Sequence, residues 1–398
     1  MTTAGASLRH VLILWLAGLG AAAQFAKVSV FFPELQALYP GTGAWLGFLV
    51  SLISLIGIAF GLLAGMIVAR SGAQRLLVPA LLFGAAISLF QAGLPSLPVM
   101  LLSRVFEGLS HLVIVVAAPT LIAERALPQH RPYAMTLWSS FFGVTFAAMV
   151  WAGQPLVARH GLAAMFLAHG AYMVVMAGAV WAGVARDRGT GPGLGGVPPV
   201  AEIWRQHVRV YRSPYEAAPG LGWLCYTLTF VALMTVLPEF LDPQVRTSLI
   251  GLLPLASIAS ALLLGVVLIR HVGGVTSILI GFALSALFLL AQLAAPGAPL
   301  LCLGLFAALG IVQSASFAAI PELNPTTTAR AHATGAIAQM GNLGNTLGTP
   351  VLLVLTGALG FSGLILFGIT AYGLGIAVHL AAARKRRALQ AGASPLRD

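Results

Sequence analysis

The sequence predicts an all-α integral membrane protein, with twelve spanning helices in two six-helix halves related by a pseudo-two-fold. Three observations carry that prediction. Of 398 residues, 59% are hydrophobic and 8% charged, against about 25% charged in an ordinary soluble domain. The apolar residues fall into twelve runs, most of them near the roughly 20 residues that a bilayer crossing requires. Short motifs in the first six runs recur in order in the last six. A 41.2 kDa globule cannot hide this much apolar side chain in one core, because its surface must be covered largely by polar groups.

The runs lie near 9–37, 43–68, 76–94, 98–122, 133–155, 163–185, 220–240, 247–269, 275–294, 299–320, 332–357 and 361–383. They are continuously apolar and lack the alternation of barrel strands, so helices are expected. The first run is too long for the apolar core of a signal peptide and is read as retained. Residues 186–219 open Gly/Pro-rich ("RDRGTGPGLGGVPP") and continue amphipathically ("AEIWRQHVRVYR"). They are expected to form a central linker with a short surface helix. The expected organisation is residues 1–185 as the first bundle, 186–219 as linker, 220–383 as the second bundle and 384–398 as a basic tail.

The formal charge of +11 does not point to nucleic acid. With the N-terminus placed in the cytoplasm, 17 of the 21 basic residues fall in cytoplasmic segments and two, Arg159 and Arg246, in outer loops. Lys27 and Arg104 remain inside runs. This asymmetry is the positive-inside rule and predicts both termini in the cytoplasm of an inner, or plasma, membrane protein. The tail "ARKRRALQ" then reads as a topology anchor beside anionic lipid. The two cysteines, Cys225 and Cys302, lie in apolar runs. Neither a disulfide framework nor metal-ligand spacing is present, and no nucleophile–base arrangement or phosphate loop stands out. No enzyme activity, metal or cofactor is expected.

The halves repeat one another. "VFFPELQ" closes the first run and "TVLPEFL" the seventh, with Pro33-Glu34 matching Pro238-Glu239 at an offset of 205. "GMIVARSG" from Gly65 leaves the second run as "GVVLIRHVG" from Gly265 leaves the eighth. "RPYAM" at Arg131 matches "RAHAT" at Arg330, and "APTLIAE" finds an echo in "AAIPEL". An even number of helices per copy makes the repeat parallel, the arrangement of alternating-access carriers with a site near mid-membrane. The Pro-Glu pairs mark helix ends; Glu34 is alternatively a proton-titrating gate residue.

On these residues the chain resembles the major facilitator superfamily over essentially its full length. The loop after the second helix in that family usually reads G-x-L-a-D-R-x-G-R-R. Here Gly65, Arg70 and Gly72 match, Ala69 replaces the acid, and Ala73 and Gln74 replace the basic pair. With Gly265, Arg270 and Gly273 of the second copy, these are the expected gating positions. "MLLSRVFEGLSH" resembles the family's fourth-helix pattern at Arg104 and Gly108, with Glu107 where Gln is common. The G-x-x-x-G-P-x-x-G-G signature of drug antiporters is missing from "SSFFGVTFAAMVWAGQP". The resemblance implies the twelve-helix fold and alternating access, and leaves the cargo open.

A charge at the centre of a spanning helix costs about 2.5–3.5 kcal/mol, so each needs a partner or a wet cavity. Arg104, Glu107 and His111 share one face of the fourth run at i, i+3 and i+7. Glu107 is the first candidate for proton coupling, with Glu34 and His111 behind it. Lys27, with Gln24 a turn earlier, is expected either to face the cavity or to pair with Glu107. With Arg104 it favours an anionic or carboxylate-bearing cargo. Gln313, Gln339, Asn342 and Asn345 are candidate uncharged cargo contacts, or helix-joining amides. Gly341, Gly344 and Gly348 form a small-residue packing stripe. The expected protein is a monomeric secondary carrier of a small organic solute, with the bilayer and a coupling proton as its other partners. Loose-specificity efflux is the alternative and a non-transporting membrane sensor the remote one.

Overall fold

A computed structural model describes residues 4–71, 73–127, 130, 134, 137–138, 140–184 and 200–392. Every regular element among them is a helix. The spanning helices are α1 (Ala4–Ser29), α2 (Leu55–Ser71), α3 (Ala73–Gln91), α4 (Leu97–Arg125), α5 (Phe141–His160), α6 (Leu162–Gly183), α7 (Ala217–Val236), α8 (Pro243–Val272), α9 (Gly274–Ala291), α10 (Pro299–Leu323), α11 (Thr327–Leu359) and α12 (Phe361–Gly392). Ten of these, together with the segment Gly43–Gly61 that leads into α2, are long and apolar enough to cross a membrane. The exception is α11, 33 residues long, whose polar stripe around Gln339, Asn342 and Asn345 dilutes its hydropathy.

Several helices are interrupted where the sequence supplies a cause. The approach to α2 alternates 3-10 turns at Gly43–Gly47 and Leu52–Ser54 with one α-turn at Phe48–Ser51. Both α5 and α8 contain a π-turn ending in glycine, Met149–Gly153 and Ala261–Gly265. The first predicted run, 9–37, is in fact two elements. α1 stops at Ser29, and Pro33-Glu34 begins a separate short helix, Phe32–Leu38, with proline at a position where a missing N–H costs nothing and glutamate in the favourable first turn. In the second half α7 stops at Val236, and Pro238-Glu239 sit in a 3-10 turn, Leu237–Phe240. Both Glu34 and Glu239 are exposed.

The chain forms two compact units, Met1–Gly196 with Ile250–Leu255, and Val197–Leu249 with Ala256–Asp398. Within the first, α1 packs on α4, α5 and α6, α3 on α4 and α6, and α2 on α4. Within the second, α7 packs on α10, α11 and α12, α9 on α10 and α12, and α8 on α10. Every pair of the first unit thus reappears with its indices raised by six, which is the duplication expected from the motifs.

The glycine stripe does the packing work. A Cβ at Gly344 would stand 2.7 Å from the carbonyl oxygen of Leu224 and 2.8 Å from the amide of Leu228, so α11 approaches α7 backbone to backbone. The surface helix, Val200–Arg212, belongs to the second unit.

Candidate functional site

The first unit contains a polar cluster assembled from four helices. Lys27 of α1 and Arg104 and Glu107 of α4 are all 0% exposed. Glu107 receives both cations, Lys27 Nζ at 2.7 Å on Oε1 and the Arg104 guanidinium on Oε2. The lysine also donates to Gln91 Oε1 at 2.7 Å and Ser88 Oγ at 2.9 Å on α3, and lies 3.3 Å from His169 Nδ1 on α6. Gln91 returns its amide to Glu107 Oε2 and Ser103 Oγ, each at 3.0 Å. Arg104 Nε donates to the carbonyl oxygen of Leu49 at 2.6 Å. That carbonyl belongs to the irregular approach to α2, where broken α-helical pairing leaves carbonyls for side chains.

Helical spacing explains the convergence. Positions 104, 107 and 111 share one face of α4, and 88 and 91 one face of α3, as neighbours three and four apart do. Gly108, a turn beyond Arg104, lets the carbonyl of Ile53 approach where a Cβ would collide. His169 Nε2 donates to the carbonyl oxygen of Gly20 at 3.0 Å. A neutral ring then presents Nδ1 as an acceptor toward Lys27 and Ser88. Next to it an apolar cavity of about 300 Å³ borders α1, α5 and α6, with Leu19, Ala23, Met149, Ala168 and His169 among its walls.

The charges do not balance. Two cations face one carboxylate, leaving a surplus of one positive charge in a fully buried cluster. Arg104 Nη2 is buried without a hydrogen-bond partner among the described residues, as is Gln24 Oε1.

A family model described as Major Facilitator Superfamily matches residues 14–245. The chain belongs to the major facilitator superfamily. No curated protein matches it. Among solved structures it is similar to a bacterial homologue of the human lysosomal transporter Spinster, in an inward-facing, unoccupied conformation, at 14% identity over 96% of this chain and 98% of that one, with a TM-score of 0.71. At that identity the likeness concerns the fold. Membership makes this chain a multi-pass membrane protein of a transporter family.

The other residues singled out in this facilitator fall into distinct places. His111 does not extend the Arg104–Glu107 chain; its Nδ1 donates to the Ala21 carbonyl at 3.1 Å, and its ring meets Phe25 edge-on. Gln24 donates to Ser110 Oγ at 3.0 Å. Tyr226 donates to Gln313 Oε1 at 3.2 Å, and Trp223, Tyr226 and Phe230 stack along α7. Asn342 folds back on the Ala338 carbonyl at 2.8 Å, and Asn345 is half-buried a turn later.

Gln339, a candidate cargo contact or helix-joining amide, lies beneath the surface helix. Its Oε1 accepts from His207 Nε2 at 2.6 Å and Tyr211 Oη at 2.8 Å. Burial pushes the Tyr211 phenol up to about 12, so it remains a donor at neutral pH.

Of the gating positions, Gly65 and Arg70 lie in α2 with side chains outside the described set, and Gly72 lies outside the described residues. Gly265 packs where a Cβ would strike Ser314 of α10, and Arg270 is exposed. Gly273 joins α8 to α9 at φ 81, a conformation that glycine adopts without strain. There the Gly274 amide donates to Glu322 Oε2 of α10 at 2.5 Å. Four members of the cluster escaped the sequence reading: Ser88, Gln91, Ser103 and His169. Their only signal was a polar residue in an apolar run.

Proposed function

We propose that this protein is a secondary carrier that moves a small organic anion together with a proton, by alternating access between residues 1–185 and 220–383. Lys27 and Arg104 attract the anion, and Glu107 carries the proton. The observation that supports this most is the surplus positive charge on a buried cluster whose Arg104 Nη2 has no hydrogen-bond partner among the described residues.

The reasoning is a charge count. Protonating Glu107 alone would leave two buried cations uncompensated, which costs several kcal/mol. Binding a monoanion alone would set two negative groups against two cations, drawing the cations away from the carboxylate that now holds them. Binding both leaves the net charge at one positive, as in the empty cluster. Anion and proton therefore bind better together than singly, with one proton per monoanion. Gln24, Gln313, Asn342 and Asn345 are further candidate contacts, and the cavity beside His169 offers room for an apolar part of the cargo. The basic-residue distribution supports cytoplasmic termini in an inner or plasma membrane.

The test is uptake of labelled organic anions by proteoliposomes under an imposed pH gradient. The expected result is accumulation driven by the proton gradient in the wild type. Glu107→Gln should keep anion exchange and lose gradient-driven accumulation. Flux indifferent to the gradient, or equal transport of cations of the same size, would reject the reading.

A further inference from the structure

The surface helix and the end of α12 build a second feature, unconnected with cargo. Along Val200–Arg212 the inner face carries Gln206, His207, Val210 and Tyr211. Gln206 Nε2 lies 2.6 Å from His332 Nε2, and His332 Nδ1 pairs with Glu216 at 3.0 Å. His207 and Tyr211 hold Gln339. The helix is therefore fastened to α11 on one side. Its outer face carries Trp204, 69% exposed, with Arg205, Arg209 and Arg212, all exposed. Helical spacing puts these four within one arc.

The end of α12 extends this face. Lys385 Nζ donates to the Arg212 carbonyl at 3.1 Å, and Arg386 donates to the Pro214 carbonyl at 2.9 Å with its guanidinium over the Tyr215 ring. Arg384, Lys385 and Arg387 are exposed. Six exposed cations thus lie on two elements that touch at Lys385 and Arg212, one of which carries the exposed tryptophan. Among the described acidic groups, Glu216 holds His332 and Glu322 takes the Gly274 amide.

We propose that this face is a docking site for anionic phospholipid headgroups, in which Arg205, Arg209, Arg212, Arg384, Lys385 and Arg387 contact the phosphates and Trp204 enters the interfacial layer. Three features select lipid. The cations follow directly on the apolar length of α12, which fixes them at the membrane boundary. Tryptophan favours that boundary because its ring is apolar and its N–H polar. Basic residues near an anionic leaflet each strengthen attachment by about fivefold, from roughly 1 kcal/mol apiece. Since the inner face of the helix is bonded to α11, lipid composition acts directly on an element of the second unit.

The test uses the full chain in nanodiscs of phosphatidylcholine alone or with one-quarter phosphatidylglycerol, reading amide hydrogen exchange of Val200–Arg212. Exchange is expected to slow at least fivefold with the anionic lipid, and the slowing to shrink in high salt. The variant R205Q/R209Q/R384Q/R387Q should lose it, and the variant with lysine at the same four positions should keep it, which separates headgroup attraction from misfolding. Equal exchange in the two lipids would overturn the proposal. So would equal slowing in the glutamine variant, or the same slowing on adding inorganic phosphate to neutral discs.

Discussion

The two units share a scaffold and differ in what they bury. The neighbour pairs of α1–α6 are repeated by α7–α12, yet among the described residues only the first unit shows a fully buried ion cluster, Lys27–Glu107–Arg104. At the corresponding depth the second unit carries hydroxyls, amides and the Trp223–Tyr226–Phe230 stack. The duplication is maintained by backbone approach and apolar packing, which tolerate many side chains. Among the described residues the fully buried charges lie in the first half.

The sharpest test of that contrast is a charge cycle in the first unit. Glu107→Gln leaves two buried cations without a carboxylate and should cost about 3–5 kcal/mol of stability. Lys27→Met leaves a neutral Arg104–Glu107 pair and should cost less. The double variant restores a surplus of one and should be more stable than the sum of the singles predicts. Thermal unfolding in detergent measures all three, and additive losses would mean that charge balance is not what holds the cluster. An added organic anion should rescue Glu107→Gln more than the wild type.

In the second unit the corresponding test is steric. Gly344→Ala should cost about 1–3 kcal/mol, because its Cβ meets the backbone of α7. Gly357→Ala in the same helix has nothing within 4 Å and should be neutral or mildly stabilising. Equal melting temperatures for the two would break the account of α7–α11 packing. The smallest effect is expected at the edge of that unit. Gln339→Leu removes the acceptor of two hydrogen bonds worth about 1 kcal/mol each, and should speed hydrogen exchange of Val200–Arg212 with little change in global unfolding.

Much of this was legible in the amino-acid sequence, for reasons that the molecule makes plain. Lipid demands about 20 apolar residues per crossing, so the spans and the repeat showed directly. Lys27, Arg104 and Glu107 stood out because a buried charge is costly, and their pairing was one of the readings offered. Ser88, Gln91 and His169 were silent, since an uncharged polar residue in an apolar run carries little cost and its partner depends on how α3 and α6 rotate. The partners of Gln339 were illegible for a related reason: nothing local announces that His207 and Tyr211, more than a hundred residues earlier, will lie over it. The Pro-Glu pairs marked boundaries correctly, but their spacing did not show that each opens a new turn after its helix ends.

A buried cluster with one surplus positive charge has one more effect. Any rearrangement that shifts the Lys27–Glu107–Arg104 group through part of the membrane field does work against voltage, up to about 2.3 kcal/mol per 100 mV for a full crossing. Because the proposed cargo and proton cancel, loaded and empty carriers feel the same pull. Membrane potential would then bias which side the carrier rests on without altering how far it can concentrate its solute.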